Sequence, residues 1–264
     1  MAFKFGDRNG NLSGSQKGGS QKIVVGGDFA STLFGDATEA MFGKAWGGND
    51  TLTGESRSNL AYGDSLNIFG HAVGGNDKIF GYGRFNSLFG DASTLSGYAR
   101  GGNDRLTGHG TASGLYGDAK TMSGWSVGGN DILTGKALVN RLYGDAETMS
   151  GRARGGNDTL ISSSGTDHMW GDAVEMLKGA KGGRDTFVFK RGGGNDYIYD
   201  FHKREDHIDL RAFGFKSFKK LQIEKIDTDG DGALDSSIVY FDAAHTSSVT
   251  VYNNLHLSKS DFYL

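Results

Sequence analysis

The stretch LYGDAETMSGRARGGNDTL, Leu142 to Leu160, holds two aspartates in glycine-flanked turns, Asp145 in GDA and Asp158 in GGND, with a polar loop between them. The chain rebuilds this arrangement again and again. The GGND tetrad, GGRD in its last copy, puts its aspartate at Asp50, Asp77, Asp104, Asp131, Asp158 and Asp185, always 27 residues apart. The GD pair gives Asp36, Asp64, Asp91, Asp118, Asp145 and Asp172, at intervals of 28, 27, 27, 27 and 27. Repetition of that regularity identifies a solenoid, in which each unit buries its apolar side only by stacking on the next.

The apolar positions size each unit. Val24 to Leu33, Leu52 to Ala61, Ile79 to Leu88, Leu106 to Leu115, Leu133 to Leu142 and Leu160 to Met169 are each nine apart, and Leu142 to Leu160 is eighteen. Each unit therefore reads as two short strands and two turns, one of them enlarged by an inserted loop. The apolar residue sits in a three-residue window between glycines, as in TLT (Thr51 to Thr53) and RLY (Arg141 to Tyr143). No helical stripe fits between such turns. Strand alternation sends the central residue inward and its neighbours outward. The expected fold is all-β: a parallel β-roll, or β-solenoid, of 27-residue rungs. At about 4.8 Å per rung it is a rod on the order of 30 Å long.

Composition agrees. Glycine reaches 45 of 264 residues without collagen's period, and the 36% apolar content favours a turn-dense repeat over disorder. With no cysteine there are no disulfides and no thiolate metal sites. Net charge of −3 gives no overall basic field, so no nucleic-acid partner is expected. The start MAFKFGDRNGN has no apolar h-region, and no apolar run is long enough for a membrane span. If the protein is exported, a cleaved N-terminal signal is not expected.

GGNDTLTG and LYGDA resemble degenerate copies of the nonapeptide G-G-x-G-x-D-x-U-x of the RTX, or haemolysin-type, calcium-binding proteins, over roughly Lys22 to Asp200. The resemblance implies two nonapeptides per turn of a parallel β-roll, with Ca2+ in the turns between rungs. This sequence departs from the family on one side. There Ser31, Asn59, Asn86, Ser113, Asn140 and Asp167 stand where aspartate would fall, and a hydrogen-bonded Asn/Ser ladder is expected. On the other side the inserted loops split GD from GGND, so ligand geometry does not carry over.

The chemistry of that aspartate side points the same way. Stacked rungs bring a dozen aspartates to one edge, and carboxylates a rung apart repel unless something neutralises them. Hard oxygen donors beside glycine carbonyls in a flexible turn suit Ca2+. Mg2+ prefers a tighter octahedron, and zinc would want histidine or cysteine that the repeat lacks. The candidate ligands for several Ca2+ ions per chain are the twelve aspartates of the two series. Asp196, in GGGND, is added from the resemblance described next. Local turn chemistry accounts for any single GD or ND, but not for six copies in register.

From GGRDTFVF onward the period stops and apolar density rises. The run resembles the C-terminal region of serralysin-type proteases, where D-x-F-x-F, G-N-D-x-I-x-D-F and D-x-I-D-L recur. The expected organisation is residues 1–21 as a degenerate rung or cap, 22–196 as the calcium-binding roll and 197–264 as a β-rich cap. DTDGDGALD spaces Asp227, Asp229 and Asp231 like half of an EF-hand loop, but the twelfth position is Ile238, so a tight acidic hairpin is expected. The ending LSKSDFYL resembles the uncleaved C-terminal signals of type I secreted RTX proteins, which implies the type I secretion machinery as a partner and an extracellular location.

The outward position before each GD holds Phe34, Tyr62, Phe89, Tyr116, Tyr143 and Trp170, and the loops supply Met41, Ile68, Leu95, Met122, Met149 and Met176. The expectation is that each loop folds back over its aromatic and makes a small second core with sulfur-aromatic contacts. The alternative leaves the ladder open as a carbohydrate-binding platform for extracellular polysaccharide. No H-E-x-x-H, G-x-S-x-G, P-loop or G-x-G-x-x-G is present, and repeats and cap consume the chain. The sequence therefore reads as a non-enzymatic, secreted calcium-binding protein of a cell surface or matrix.

Overall fold

A computed structural model describes residues 2–264; Met1 of the expected 1–21 segment lies outside the described residues. The chain is a stacked series of parallel rungs whose strands fall into two sheets, one of 16 strands and one of six among the described residues. Equivalent residues of neighbouring repeats pair directly: Leu133 lies on Leu106 and Leu142 on Leu115. The 27-residue interval is thus the length of one complete circuit.

The two apolar windows of a unit are closer kin than expected. In Thr51–Tyr62, Arg105–Tyr116 and Ile132–Tyr143 they belong to one continuous strand that bends between them. In the units with Lys78–Gly81 and Phe85–Phe89, with Thr159–Ile161 and Thr166–Trp170, and with Thr186–Val188 and Asn195–Ile198, the ladder lapses at the bend. Inside the bend, Leu52, Ile79, Leu106, Leu133 and Leu160 face Ala61, Leu88, Leu115, Leu142 and Met169 in one fully buried core. Each large apolar side chain buried there contributes about 1.5–3 kcal/mol. The first rung is shifted by one: Ile23 and Val25 are buried and Val24 points out, because a bulge between Gly27 and Ala30 takes up an extra residue.

The inserted loops are not irregular. Ala37–Met41, Ser65–Ile68, Ala92–Leu95, Ala119–Met122, Ala146–Met149 and Ala173–Met176 form the six-stranded parallel sheet. A glycine at positive φ, such as Gly124 (73°) or Gly151 (70°), then turns the chain back, a conformation that costs other residues free energy. A further column of parallel bridges runs Trp46, Val73, Arg100, Val127, Arg154, Lys181. This lobe has its own core of alanines with Met41, Ile68, Leu95, Met122 and Met149.

That arrangement corrects the expected sulfur-aromatic cover. The methionines pack against alanines inside the lobe, and the aromatics stack on one another: Tyr116 on Phe89 at 4.5 Å, Tyr143 on Tyr116 at 4.6 Å and Trp170 on Tyr143 at 5.0 Å. Tyr199 and Tyr252 extend the stack. Each ring's faces are covered by its neighbours, so the ladder offers no open platform for a sugar ring.

At the N-terminal end Ala2–Phe5 pairs with Ser31 to Phe34, and Arg8, Leu12 and Lys17 bridge to Ala37, Met41 and Trp46, which makes a partial first rung. At the other end Thr186–Val188, His207–Asp209 and Phe262–Tyr263 continue one strand column. Ser248–Val251 continues the other column in parallel on Asn195–Ile198, and Ser236–Tyr240 closes it, antiparallel to both Ser248–Val251 and Gln222–Ile226. They cover the last rung with Phe241, Val249 and Val251. The tail LSKSDFYL is part of this closure: Ser258 and Asp261 form a capping box and Phe262 is buried. Among the described residues no helix is long and apolar enough to cross a membrane.

Candidate metal centre

The two aspartate series lie where the main strand column meets the loop lobe, buried between the two cores. Asp36, Asp64, Asp91, Asp118, Asp145 and Asp172 leave the main column, while Asp50, Asp77, Asp104, Asp131, Asp158 and Asp185 re-enter it after the loop. All twelve are 2% exposed or less. The structure therefore brings together twelve of the thirteen candidate ligands.

Each series has a fixed hydrogen-bond scheme. A GD carboxylate accepts the N–H of the second glycine of its own GGND: Asp91 from Gly102 at 2.8 Å, Asp118 from Gly129 at 2.7 Å, Asp145 from Gly156 at 2.6 Å. A GGND carboxylate accepts the aspartate N–H of the preceding rung: Asp104 Oδ1 from Asp77 at 2.6 Å, Asp131 Oδ1 from Asp104 at 2.7 Å, Asp158 Oδ1 from Asp131 at 2.8 Å. These bonds lock the rung register. They also leave one oxygen of most carboxylates buried with no partner: Oδ2 of Asp50, Asp77, Asp104, Asp131, Asp158 and Asp185, Oδ1 of Asp36, and Oδ2 of Asp91, Asp118 and Asp145. Buried polar atoms normally find a partner, so a periodic row of orphans demands one.

The orphan oxygens converge on cradles that only glycine leaves open. A Cβ on Gly63 would collide with the Gly90 carbonyl oxygen and Asp77 Oδ2; one on Gly90 would meet the Gly117 carbonyl oxygen and Asp104 Oδ2. On the loop side a Cβ on Gly101 would run into Asp118 Oδ1 and Asp91 Oδ2, carboxylate oxygens from two successive rungs. The donors at these points are all oxygen. Carboxylates and carbonyls without nitrogen or sulfur are the donor set of a hard cation, and the residues present fit Ca2+.

Electrostatics sharpen the point. Burial, then the charge of neighbouring aspartates, hold the carboxyls of Asp64, Asp91, Asp131, Asp145, Asp158 and Asp185 well above the usual carboxylate range. Burial pushes Asp118 up to about 6 and Asp50 to about 7. Among the described residues no Lys or Arg pairs with any of the twelve; His202 Nδ1, 3.8 Å from Asp172 Oδ2, is the one basic side chain in ion-pair reach.

Asp196 sits elsewhere. Its strand Asn195–Ile198 lies on Thr166–Trp170 in the register that puts Tyr197 on His168, so Asp196 belongs to the opposite, Asn/Ser edge. There it accepts the Asp167 N–H at 2.9 Å and the Ser162 hydroxyl at 2.7 Å. The rest of that edge is the expected ladder: Ser31 donates to Asn59 at 2.8 Å, Asn59 to Asn86 at 2.8 Å, and Asn86 to Ser113 at 3.1 Å.

Three aspartates that the 27-residue count passes over extend the two series. Asp200 accepts the N–H groups of Gly171 and Asp172, at 2.8 and 3.0 Å, and burial pushes it up to about 8. Asp206 accepts those of Asp185 and His202, at 2.9 and 2.7 Å. Asp7 accepts the Gly19 N–H and the Gln21 amide. Their signals were FGD at 5–7, a copy of FGD at 34–36, the aromatic Tyr199 before Asp200, and the D-x-U of Asp206 to Ile208.

The acidic hairpin is present between Gln222–Ile226 and Ser236–Tyr240. Its Asp227, Asp229 and Asp235 bring three carboxylate oxygens within 4.8 Å of one another, the one such group among the described residues. Cations held by the buried rows would therefore rest on fewer carboxylates at a time, completed by backbone carbonyls. The hairpin carboxylates are engaged locally: Asp227 accepts from Gly230 and Gly232, and Asp235 from Thr228. A scan of protein-family models and a search of curated proteins found no match to this chain.

Proposed function

We propose that this chain is a calcium-binding roll of the RTX type, whose folded state is completed by several Ca2+ ions along the aspartate edge. The observation that carries the reading is the periodic row of buried, unpartnered carboxylate oxygens beside glycine carbonyls. The GGND aspartates with the GD glycine carbonyls, and the GD aspartates of successive rungs with one another, are the residues that would hold the ions. A bound cation supplies charge neutralisation. The protein's own part is to present oxygens in register and to exclude water between two cores.

Calcium that binds only the rolled chain stabilises it by about 2.7 kcal/mol per site at a hundredfold excess over Kd. Several sites offset much of the ordering cost of a glycine-rich chain. The chain is then loose at intracellular calcium and folded outside the cell. A fold completed by millimolar Ca2+ suits an extracellular protein of a cell surface or matrix, with a structural and not a catalytic role.

The test is calorimetric titration of the EGTA-treated chain with Ca2+, followed in parallel by far-UV circular dichroism. The expected result is several ions per chain with a gain of β signal. No binding at millimolar calcium overturns the reading.

A further inference from the structure

The outer edge of the loop lobe carries a charge pattern that calcium binding does not use. Six consecutive windows form it: FGKAWGGN (42–49), FGHAVGGN (69–76), SGYARGGN (96–103), SGWSVGGN (123–130), SGRARGGN (150–157) and LKGAKGGR (177–184). They contain seven Lys or Arg and no Asp or Glu, in a chain with more acidic than basic residues overall. Selection of one sign is therefore local to this edge. Lys44, Arg100, Arg152, Arg154, Lys181 and Arg184 are all exposed along it.

The neutral groups between them are donors too. Asn49, Asn76, Asn103, Asn130 and Asn157 form an exposed column, and each Oδ1 accepts the backbone N–H of the next rung, at 2.7 to 2.9 Å. The amide nitrogens of Asn76, Asn103 and Asn157 also donate to the preceding Oδ1, at 3.2 to 3.4 Å, which leaves each of these amides a second N–H to offer outward. A shallow groove lined by Lys17, Trp46, Asn49, Asn76, Arg100 and Asn103 follows this column. Cations, amide donors and a groove along the rod axis make a surface for an extended anion.

Its rings decide which anion. His71, Tyr98 and Trp125 stack one above the other, with centroids 5.0 and 6.2 Å apart, and the Arg152 guanidinium lies 4.4 Å from the Trp125 ring. Tyr98 is 54% and Trp125 48% exposed, through their edges, because the faces are taken. Single-stranded nucleic acid needs free aromatic faces for its bases. A linear uronate chain matches the strip's period: the asparagine donors recur once per rung, about 4.8 Å and close to one sugar, and the cations of Lys44, Arg100 and Arg154 every second rung.

We propose that this edge is a binding strip for a linear acidic polysaccharide, with Arg100, Arg152 and Arg154 pairing its carboxylates and the asparagine column and ring edges donating to its oxygens. The proposal goes beyond the calcium reading and stands on different residues.

The experiment titrates a short, non-gelling oligogalacturonate into the calcium-loaded full chain at two salt concentrations. Two triple variants are compared, Arg100→Ala/Arg152→Ala/Arg154→Ala on the strip and Arg57→Ala/Arg84→Ala/Lys136→Ala on the opposite edge. The expected result is salt-weakened binding that the strip variant loses by about tenfold, the scale of three exposed ion pairs, and that the opposite-edge variant retains. Absence of binding by protein whose calcium uptake and β signal are intact overturns the proposal. So does equal loss in both variants, or tighter binding of a single-stranded oligonucleotide of equal charge. Calcium uptake, measured separately on each variant, shows whether the calcium reading has failed instead.

Discussion

The two edges of the roll use the same backbone device and end in opposite electrostatic states. On the neutral edge Asn59 accepts from Ser31 and the Ser56 N–H and donates to Asn86 and the Ser56 carbonyl, so its whole hydrogen-bonding capacity is met within the protein. On the aspartate edge Asp131 accepts from Asp104 and has nothing to donate, which leaves Oδ2 buried beside the Gly144 carbonyl. An amide is both donor and acceptor and can close a ladder by itself; an ionised carboxylate is acceptor only and can be completed only by a proton or a cation. Replacing one type by the other along an edge exchanges a seam that satisfies itself for one that, on the function proposed above, a bound cation completes.

The largest effect expected from this difference is on pH dependence without calcium. The folded-state pKa values of the row are raised, to about 6 at Asp118, about 7 at Asp50 and about 8 at Asp200, from a model-peptide value of 3.8. The fold thus holds more protons than the unfolded chain, and stability falls as pH rises. The contribution is fully present below about pH 4 and is lost as pH rises through 6 to 8. In EGTA the chain should gain β signal and melting temperature on acidification from pH 8 to 4.5, whereas in millimolar calcium the trend should flatten or reverse. A calcium-free melting temperature that does not move with pH breaks the comparison.

Next in size is Asp131→Asn, which imports the neutral edge's chemistry into the charged one. In calcium it should remove at least one ion and cost about 2.7 kcal/mol at a hundredfold excess. In EGTA at pH 7.5 it should raise the melting temperature, since the amide keeps the acceptor for Asp104 and gains a donor facing the Gly144 carbonyl. Opposite signs in the two buffers, read by thermal melts, are the signature; the same sign in both removes the cation from the account.

Asn59→Ala works on the other edge and should not know about calcium. It leaves the Ser31 hydroxyl and the Ser56 N–H without their partner and removes one of the two donors to Asn86 Oδ1, at a cost of about 1–3 kcal/mol. The loss should be equal with calcium at pH 7.5 and without it at pH 4.5, with unchanged calcium stoichiometry by calorimetry.

How much of this was legible depends on what each feature repeats. The aspartate edge was readable because glycine, aspartate and leucine return together every 27 residues, and only a stacked fold makes that interval meaningful. The loop lobe was not readable as a sheet. Its core side chains are mostly alanines, such as Ala146 and Ala153 around Met149, too small to mark an apolar face, and its strands exist through pairing between rungs rather than through any local pattern. The edge on which Asp196 falls is not legible, because both edges share one signature: Asp131 stands two before Leu133 as Asn140 stands two before Leu142 and Asp196 two before Ile198. Asp200 and Asp206 escaped because the cap changes the interval to 28 from Asp172 and 21 from Asp185. What the interval cannot carry, the hydrogen-bond register does.

The smallest effect concerns the aromatic stack beside the aspartate edge, and it separates shielding from ligation. Tyr143 lies two residues before Asp145, 5% exposed, between Tyr116 at 4.6 Å and Trp170 at 5.0 Å. Tyr143→Leu keeps an apolar side chain there and forfeits two stacking contacts, which should cost about 1 kcal/mol. Since the ring stacks between two other rings and offers no carboxylate or carbonyl to the edge, calorimetry should return the same calcium count, and the melting temperature should fall alike in calcium and in acidic EGTA. A drop confined to calcium would mean that the stack holds the aspartate turns in shape for the ion. The ladder would then be part of the metal edge, and the division of the roll into a self-sufficient seam and a ligand-dependent one would have to be drawn one column further out.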